Sequence, residues 1–183
     1  DPERNILNGV SFTVAPGTTL AVVGPSGAGK STLARLMYRF YDPTSGRILI
    51  DGQPRVISNP RDAKALNIEC IYQTLALADN VDAPANVFLG REETTSWGTL
   101  DDGAMEDATR KVMGRLNPNF KRFKTPVAFL SGGQRQAVAI ARAVHFNARV
   151  MIMDEPTAAL GPAETAQVRD LIVQLKSEGL GIF

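Results

Sequence analysis

The residues best suited to chemistry lie in a glycine-rich loop at positions 24–32. Its first eight positions match the pattern G-x-x-x-x-G-K-S/T. Glycines let such a loop curl so that successive N–H groups converge on phosphate oxygens, and the following helix points its positive dipole end at the same anion. We expect Lys30 to reach the β- and γ-phosphates of a nucleoside triphosphate and the Ser31 hydroxyl to ligate Mg²⁺. The pattern predicts ATP and Mg²⁺ as ligands of Gly24, Pro25, Ser26, Gly27, Ala28, Gly29, Lys30, Ser31 and Thr32.

An acidic pair, Asp154 and Glu155, follows the apolar stretch 150–153. We expect that stretch to be a strand beside the one that leads into the glycine-rich loop, so that the Asp154 carboxylate can hold Mg²⁺ together with Ser31. A carboxylate next to the metal aspartate, but free of the metal, can orient or deprotonate an attacking water. Glu155 is therefore the predicted catalytic residue.

A second candidate anion site consists of Ser131, Gly132, Gly133 and Gln134. Ser131 can cap a helix whose first turn is glycine, which leaves N–H groups open to an anion. Because the sequence has one triphosphate loop, this second helix end calls for a nucleotide held by another molecule.

The elements that must position these residues alternate between short apolar strands and helical patterns. Strands are predicted at 20–23, 47–50, 68–72 and 150–153, with a last one that begins at 180. Helices are predicted at 30–40, 59–66, 103–116, 132–144 and 162–177. This order predicts an α/β fold with a largely parallel sheet. Residues 1–73 and 148–183 are expected to form the ATP-binding core, and residues 74–147 an inserted helical subdomain.

Composition narrows the possible partners and location. Twenty basic and nineteen acidic residues give a net charge of +1, which provides no reason to expect nucleic acid as a partner. No apolar stretch approaches the roughly 18 to 20 residues that span a bilayer, so membrane association is expected only through another subunit. The single cysteine, Cys70, lies in an apolar run and indicates a buried thiol and a reducing, cytoplasmic setting. Trp97, in a polar stretch, is expected to anchor partly in the core.

The segment from Leu130 to Gln134 resembles the signature motif of the ATP-binding cassette (ABC) family, and the resemblance covers nearly the whole chain. It implies a P-loop NTPase (RecA-like) core and a transmembrane transporter subunit as partner. It also implies a head-to-tail dimer in which Ser131 and Gly133 contact the γ-phosphate on the other chain. By itself Gln73 is a plain polar strand end; the resemblance makes it the family's Q-loop glutamine, which contacts Mg²⁺ and the attacking water.

The resemblance is uneven along the chain. Residues 1–53 look like an exporter-type half-transporter, whereas residues 54–183 look like importers of ribose or fructose type. This suggests a chimera with a seam near Gln53; a natural outlier is the other interpretation. The family's adenine-stacking aromatic residue and switch histidine fall outside positions 1–183, and His145 is interpreted as a surface or capping residue. We therefore expect nucleotide binding with slow or absent hydrolysis.

Three functional hypotheses can be compared on sequence alone. The first is the ATPase of a membrane transporter, and the second is a stand-alone nucleotide-binding module without a transport role. A DNA-repair or chromosome-associated cassette would need a long coiled-coil insertion before the signature motif. Only 101 positions separate Lys30 from Ser131, and they contain no heptad repeats.

Overall fold

A computed structural model describes residues 6–25, 27–38, 40–41, 43–158 and 160–183. Its strands are β1 (Leu49–Ile50), β2 (Gln53–Pro54), β3 (Ile68–Ile71), β4 (Val150–Met153) and β5 (Gly181–Ile182). Its helices are α1 (Lys30–Met37), α2 (Pro60–Ala65), α3 (Ala83–Phe88), α4 (Asp102–Leu116), α5 (Gly132–His145) and α6 (Pro162–Ser177). A 3₁₀ turn, Val127–Phe129, precedes α5.

The central sheet is parallel and has the strand order β3-β4-β5. Because side chains alternate across a strand, its two faces bury different residues. Ile68 and Ile152 join the apolar cluster formed with α1 and α2. Ile71 and Met151 join a larger cluster with α3, α4, α5 and α6. The parallel strands place the residues that follow β3 and β4 at one edge of the sheet, where ligands of such sheets bind.

The larger cluster contains residues of both predicted parts of the chain. Val87, Met113 and Ile140 lie in the helical region, and Met151 and Leu175 belong to the sheet and α6. The helical region therefore packs directly on the sheet. Its boundaries at 74 and 147 stay a prediction.

Polar side chains cap the amino ends of several helices and so determine where these helices begin. Asn59 accepts hydrogen bonds from the N–H groups of Arg61 and Asp62 ahead of α2. Asp82 accepts from Ala85 N ahead of α3, a helix that the sequence pattern did not predict. Six residues are too few to show helical periodicity, although an aspartate cap with proline in the first turn is a readable start signal.

The strand predicted at 20–23 is wrong. Thr19 forms an isolated parallel bridge with Ile182, and Leu20 N donates to Ile182 O at 2.8 Å. Beyond that point the chain leaves the sheet, and Val23 is 87% exposed. The apolar run indicated burial, but no described strand pairs with residues 21–23.

Trp97 also departs from expectation. It is 91% exposed in a loop closed by the bridge between Thr94 and Leu100, so it does not anchor in the core. In the described part of the chain, no helix combines the length and apolar character needed to cross a membrane.

Candidate functional site

The glycine-rich loop ends at α1, whose N-cap is Gly29. Gly27 and Gly29 have φ angles of 81° and 90°, in the left-handed region that favours glycine. Among the described residues no side chain caps α1, so the N–H groups of its first turn are available to a ligand. Gly24, Pro25 and Ala28 are exposed beside it. Ser26, predicted as a further contact, lies outside the described residues.

Lys30 is already turned onto the loop. Its Nζ donates to Gly24 O at 2.9 Å and to Pro25 O at 3.1 Å. The ammonium therefore lies among loop atoms, where it can exchange carbonyl oxygens for phosphate oxygens. Thr32 follows on the half-buried side of the first turn of α1.

The contact between Ser31 and Asp154 joins the loop to the sheet. Ser31 Oγ donates to Asp154 Oδ1 at 3.0 Å, although the two residues are 123 positions apart. The expected route to this contact is wrong, because residues 18–20 lie beside β5 rather than β4. Helix α1 nevertheless brings Ser31 to the end of β4.

The Ser31 hydroxyl and the Asp154 carboxylate suit the coordination of Mg²⁺ in a nucleotide-binding site. A hydroxyl and a carboxylate are hard oxygen ligands, and Mg²⁺ is commonly bound by one or two carboxylates plus substrate phosphates. The described residues contain no cluster of three or more His, Cys, Asp or Glu side chains that could hold the metal without the phosphates. With the uncapped helix and the left-handed glycines, the residues fit MgATP.

Glu155 occupies an unusual backbone conformation. Its φ is 49°, which costs a non-glycine residue about 1 kcal/mol or more. Its side chain is exposed, and its carboxylate has no hydrogen-bond partner in the part of the chain that the structure describes. The carboxylate is thus available for a water molecule, next to Asp154.

Gln73 follows β3 and shares a cavity of about 200 Å³ with Asp154. Phe40, Tyr72 and Cys70 also line that cavity. Burial raises the pKa of the Cys70 thiol to about 11, so it stays protonated and unreactive at neutral pH. The structure therefore brings Gln73, Ser31 and Asp154 to the same edge of the sheet.

The predicted second anion site lies at the start of α5. Ser131 and Gln134 form a capping box: Gln134 N donates to Ser131 Oγ at 3.3 Å, and Ser131 N donates to Gln134 Oε1 at 3.1 Å. Gly133 N donates to Glu164 Oε1 at 3.2 Å. The expectation of open N–H groups is thus wrong for Gly133 and Gln134, because neighbouring side chains satisfy both.

Glu164 is the residue that sequence reasoning missed. It stands in the first turn of α6, where its Oε2 also accepts from Gly161 N at 3.3 Å. A glutamate three positions after a helix cap is a readable signal for half of a capping box. Glycine at position 161 has no side chain to complete the motif and hides that signal.

The two candidate sites are separate within one chain. No hydrogen bond recorded for the described residues joins Ser131–Gln134 to the loop at 24–32. The start of α5 instead contacts α6 through the bond from Gly133 N to Glu164. It also contacts the segment after Gln73, through a hydrogen bond of 2.6 Å from Arg135 Nη2 to Asp79 Oδ1.

Comparisons with known proteins address the family and the fold of the chain as a whole. The profile of the ABC transporter family matches residues 7–158. Over 176 residues, 96% of this chain, the sequence is 41% identical to the xylose/arabinose import ATP-binding protein XylG of Sulfolobus acidocaldarius and covers 70% of it. It is 43% identical to the ribose import ATP-binding protein RbsA 2 of Escherichia coli O157:H7, again over 96% of this chain, but spans only 34% of that relative.

A solved structure extends the agreement to the fold. A bacterial Atm1-family ABC exporter with ATP bound matches with a TM-score of 0.74 and 34% identity, over 100% of this chain and 32% of the exporter. The predicted α/β class with a P-loop NTPase core is thereby confirmed. In sequence and in fold, this chain belongs to the ABC transporter family.

Proposed function

We propose that this chain binds MgATP and is the ATP-binding domain of a sugar-importing ABC transporter. The observation that carries the proposal is the 3.0 Å hydrogen bond from Ser31 to Asp154, which joins the phosphate loop to the acidic end of β4. The sugar class comes from the relatives, whose names describe import of ribose and of xylose or arabinose. A transmembrane transporter subunit as partner would place this chain at the cytoplasmic face of a membrane.

Each residue of the first site has a distinct part in this proposal. Gly24 to Thr32 supply the loop, and Lys30 moves from the carbonyls of the loop to phosphate oxygens. Ser31 and Asp154 would hold Mg²⁺, and Gln73 lines the same cavity as Asp154. Bound there, Mg²⁺ would neutralise charge on the phosphates. Glu155 would accept the proton of an attacking water.

A second copy or a second cassette would complete the site. Ser131 is exposed at the start of α5, Gly132 and Gln134 are half-buried and Gly133 is buried, and no hydrogen bond among the described residues joins these four residues to the loop of their own chain. We propose that they face the γ-phosphate bound by the partner in a head-to-tail dimer. Slow hydrolysis stays a prediction, as does a recombinant origin.

A calorimetric ATP titration with and without Mg²⁺ tests the first site. Wild type should bind more tightly with Mg²⁺, because metal and phosphates share the Ser31–Asp154 pair. Asp154→Asn should lose most of this gain, since it removes the ligand charge. Asp170→Asn, an exposed carboxylate change on α6, is the control. An undiminished Mg²⁺ effect in Asp154→Asn contradicts the proposed metal site.

The transport role needs a different experiment. Co-purification with a membrane subunit encoded in the same organism supports it. A stable monomer that binds ATP, associates with no membrane protein and does not dimerise supports the stand-alone module instead.

A further inference from the structure

Glu164 joins two backbone segments that the sequence keeps apart. One carboxylate oxygen accepts from Gly133 N at 3.2 Å, and the other accepts from Gly161 N at 3.3 Å. Gly133 lies 31 positions earlier, so this is a tertiary contact rather than helix capping alone. A carboxylate that bridges two N–H groups holds them more firmly than a neutral acceptor would.

The two segments belong to different half-sites. Gly133 lies in the first turn of α5, which is proposed to face the nucleotide of the partner. Gly161 ends the loop that begins at Asp154 and Glu155, which are proposed to act on the nucleotide of their own chain. Glu164 therefore connects the segment proposed to act on the chain's own nucleotide with the segment proposed to face the partner's nucleotide.

Close packing surrounds this link. A Cβ atom at Gly132 would lie 2.7 Å from Leu160 Cδ2. A Cβ atom at Gly133 would lie 3.3 Å from Gln167 Oε1 and 3.4 Å from Glu164 Cβ. Both glycines thus allow α6 to approach α5, independently of any ligand.

The charge of Glu164 suits this contact. Hydrogen bonds from Gly133 N, then Gly161 N, then the Ser131 side chain lower the pKa of its carboxyl below the usual value. The group is therefore ionised at neutral pH and remains a strong acceptor.

We infer that Glu164 is a positioning residue that fixes the signature helix relative to the loop after Glu155, so that the two half-sites of one chain move together. This inference rests on the proposed two-chain site. It assigns no contact between Glu164 and nucleotide. Glu164 would instead couple ATP binding at one site to assembly of the other.

Amide hydrogen exchange in the nucleotide-free full chain tests the contact itself. In Glu164→Ala, exchange at both Gly133 and Gly161 should accelerate by about tenfold, the loss of one hydrogen bond at each amide. Glu164→Gln should restore part of the protection, because its one amide oxygen can serve one N–H group well. Asp170→Ala, on the same helix, should change neither amide. Unchanged protection at Gly133 or at Gly161 in Glu164→Ala would overturn the inference.

ATP-dependent dimerisation tests the coupling. ATP binding to a single chain should be unchanged in Glu164→Ala, whereas dimer formation should need about tenfold more protein and lose its cooperativity in ATP. Glu164→Gln should fall between wild type and Glu164→Ala. Equal or tighter dimerisation of Glu164→Ala overturns the coupling, because the carboxylate would then be indifferent to the partner or compete with its phosphate. A wild-type chain that binds ATP without dimerising removes both the two-chain site and this coupling, while the exchange result still decides the contact.

Discussion

The loop at 24–32 and the start of α5 are both helix ends predicted to meet phosphate, but the protein treats them differently. The loop is mostly exposed, no described side chain caps α1, and Lys30 bonds to loop carbonyls. The start of α5 has a complete capping box and a bound carboxylate from Glu164. One end leaves its N–H donors to a ligand, whereas at the other the N–H groups of Gly133 and Gln134 are satisfied by side chains of the same chain.

This difference indicates that the two helix ends have different roles. In the proposed site a nucleotide would satisfy the N–H groups of the first end, so ligand binding and local order should be coupled there. The second end is preorganised by its own chain, so it can meet a partner without rearranging. Substitutions should therefore act on binding at the loop and on stability at the start of α5.

The largest effect is expected from Asn86→Ala. Asn86 is fully buried and bonds to Ala78 N, Ala78 O, Val81 O and Asp82 O. This segment supports the chain leading into α5, since Val127 N donates to Val81 O. The variant should lower the free energy of unfolding by about 3 kcal/mol, measured by urea denaturation. The exposed Asn80→Ala control should change it by less than about 0.5 kcal/mol; equal losses would break the contrast.

At the loop, Lys30→Ala should affect binding alone. Removing the ammonium should weaken ATP binding by about 30-fold, or about 2 kcal/mol, in a calorimetric titration. Unfolding should change little, because the Lys30 ammonium is exposed. Lys121→Ala, which removes an exposed ammonium elsewhere, is the matched control. A large loss of stability in Lys30→Ala would show that the loop is as preorganised as α5.

Two helix glycines sharpen the contrast at intermediate size. Gly132→Ala should cost about 1 kcal/mol, because Leu160 must move away from the new methyl group. Gly114→Ala, in α4, meets nothing within 4 Å and should stabilise the chain by about 0.5–1 kcal/mol. Urea denaturation of both variants measures the sign of each change in the free energy of unfolding. If Gly132→Ala also stabilises the chain, the packing of α5 against Leu160 is looser than proposed.

The smallest expected effect is a pH dependence from His145 at the far end of α5. Its ring lies 4.5 Å from the Phe88 ring, and burial lowers its pKa below the usual value, partly offset by Glu93. Because the unfolded chain then takes up the proton first, stability should fall as pH drops below about 6.5. The fall should be smaller in His145→Gln, followed by urea denaturation at pH 7.5 and 5.5. Identical pH profiles would contradict a half-buried histidine with a lowered pKa.

The sequence predicted most accurately the helices and strands whose bounds are set by neighbouring residues. The bounds of β4 and α6 agree with expectation to the residue, because an apolar run and a proline start define them locally. The Ser131 cap was likewise readable. The roles of Glu155 and Gln73 stay predictions, although Gln73 shares a cavity with Asp154.

Long-range pairing was not readable in the same way. Residues 20–23 have the composition of a strand, but pairing depends on a partner edge that β5 offers only near Ile182. The bond from Gly133 to Glu164 spans 31 positions, and no local pattern encodes it. Such contacts depend on how helices pack, which composition and periodicity do not specify.

Sedimentation of Glu155→Gln with saturating MgATP tests most directly whether the loop is half of a two-chain site. The substitution should slow any hydrolysis while keeping the shape of the site. We expect a dimer with MgATP and a monomer without nucleotide, and we expect Ser131→Arg at the start of α5 to keep ATP binding but lose the dimer. A chain that binds MgATP tightly and remains monomeric at every protein concentration would contradict the two-chain site.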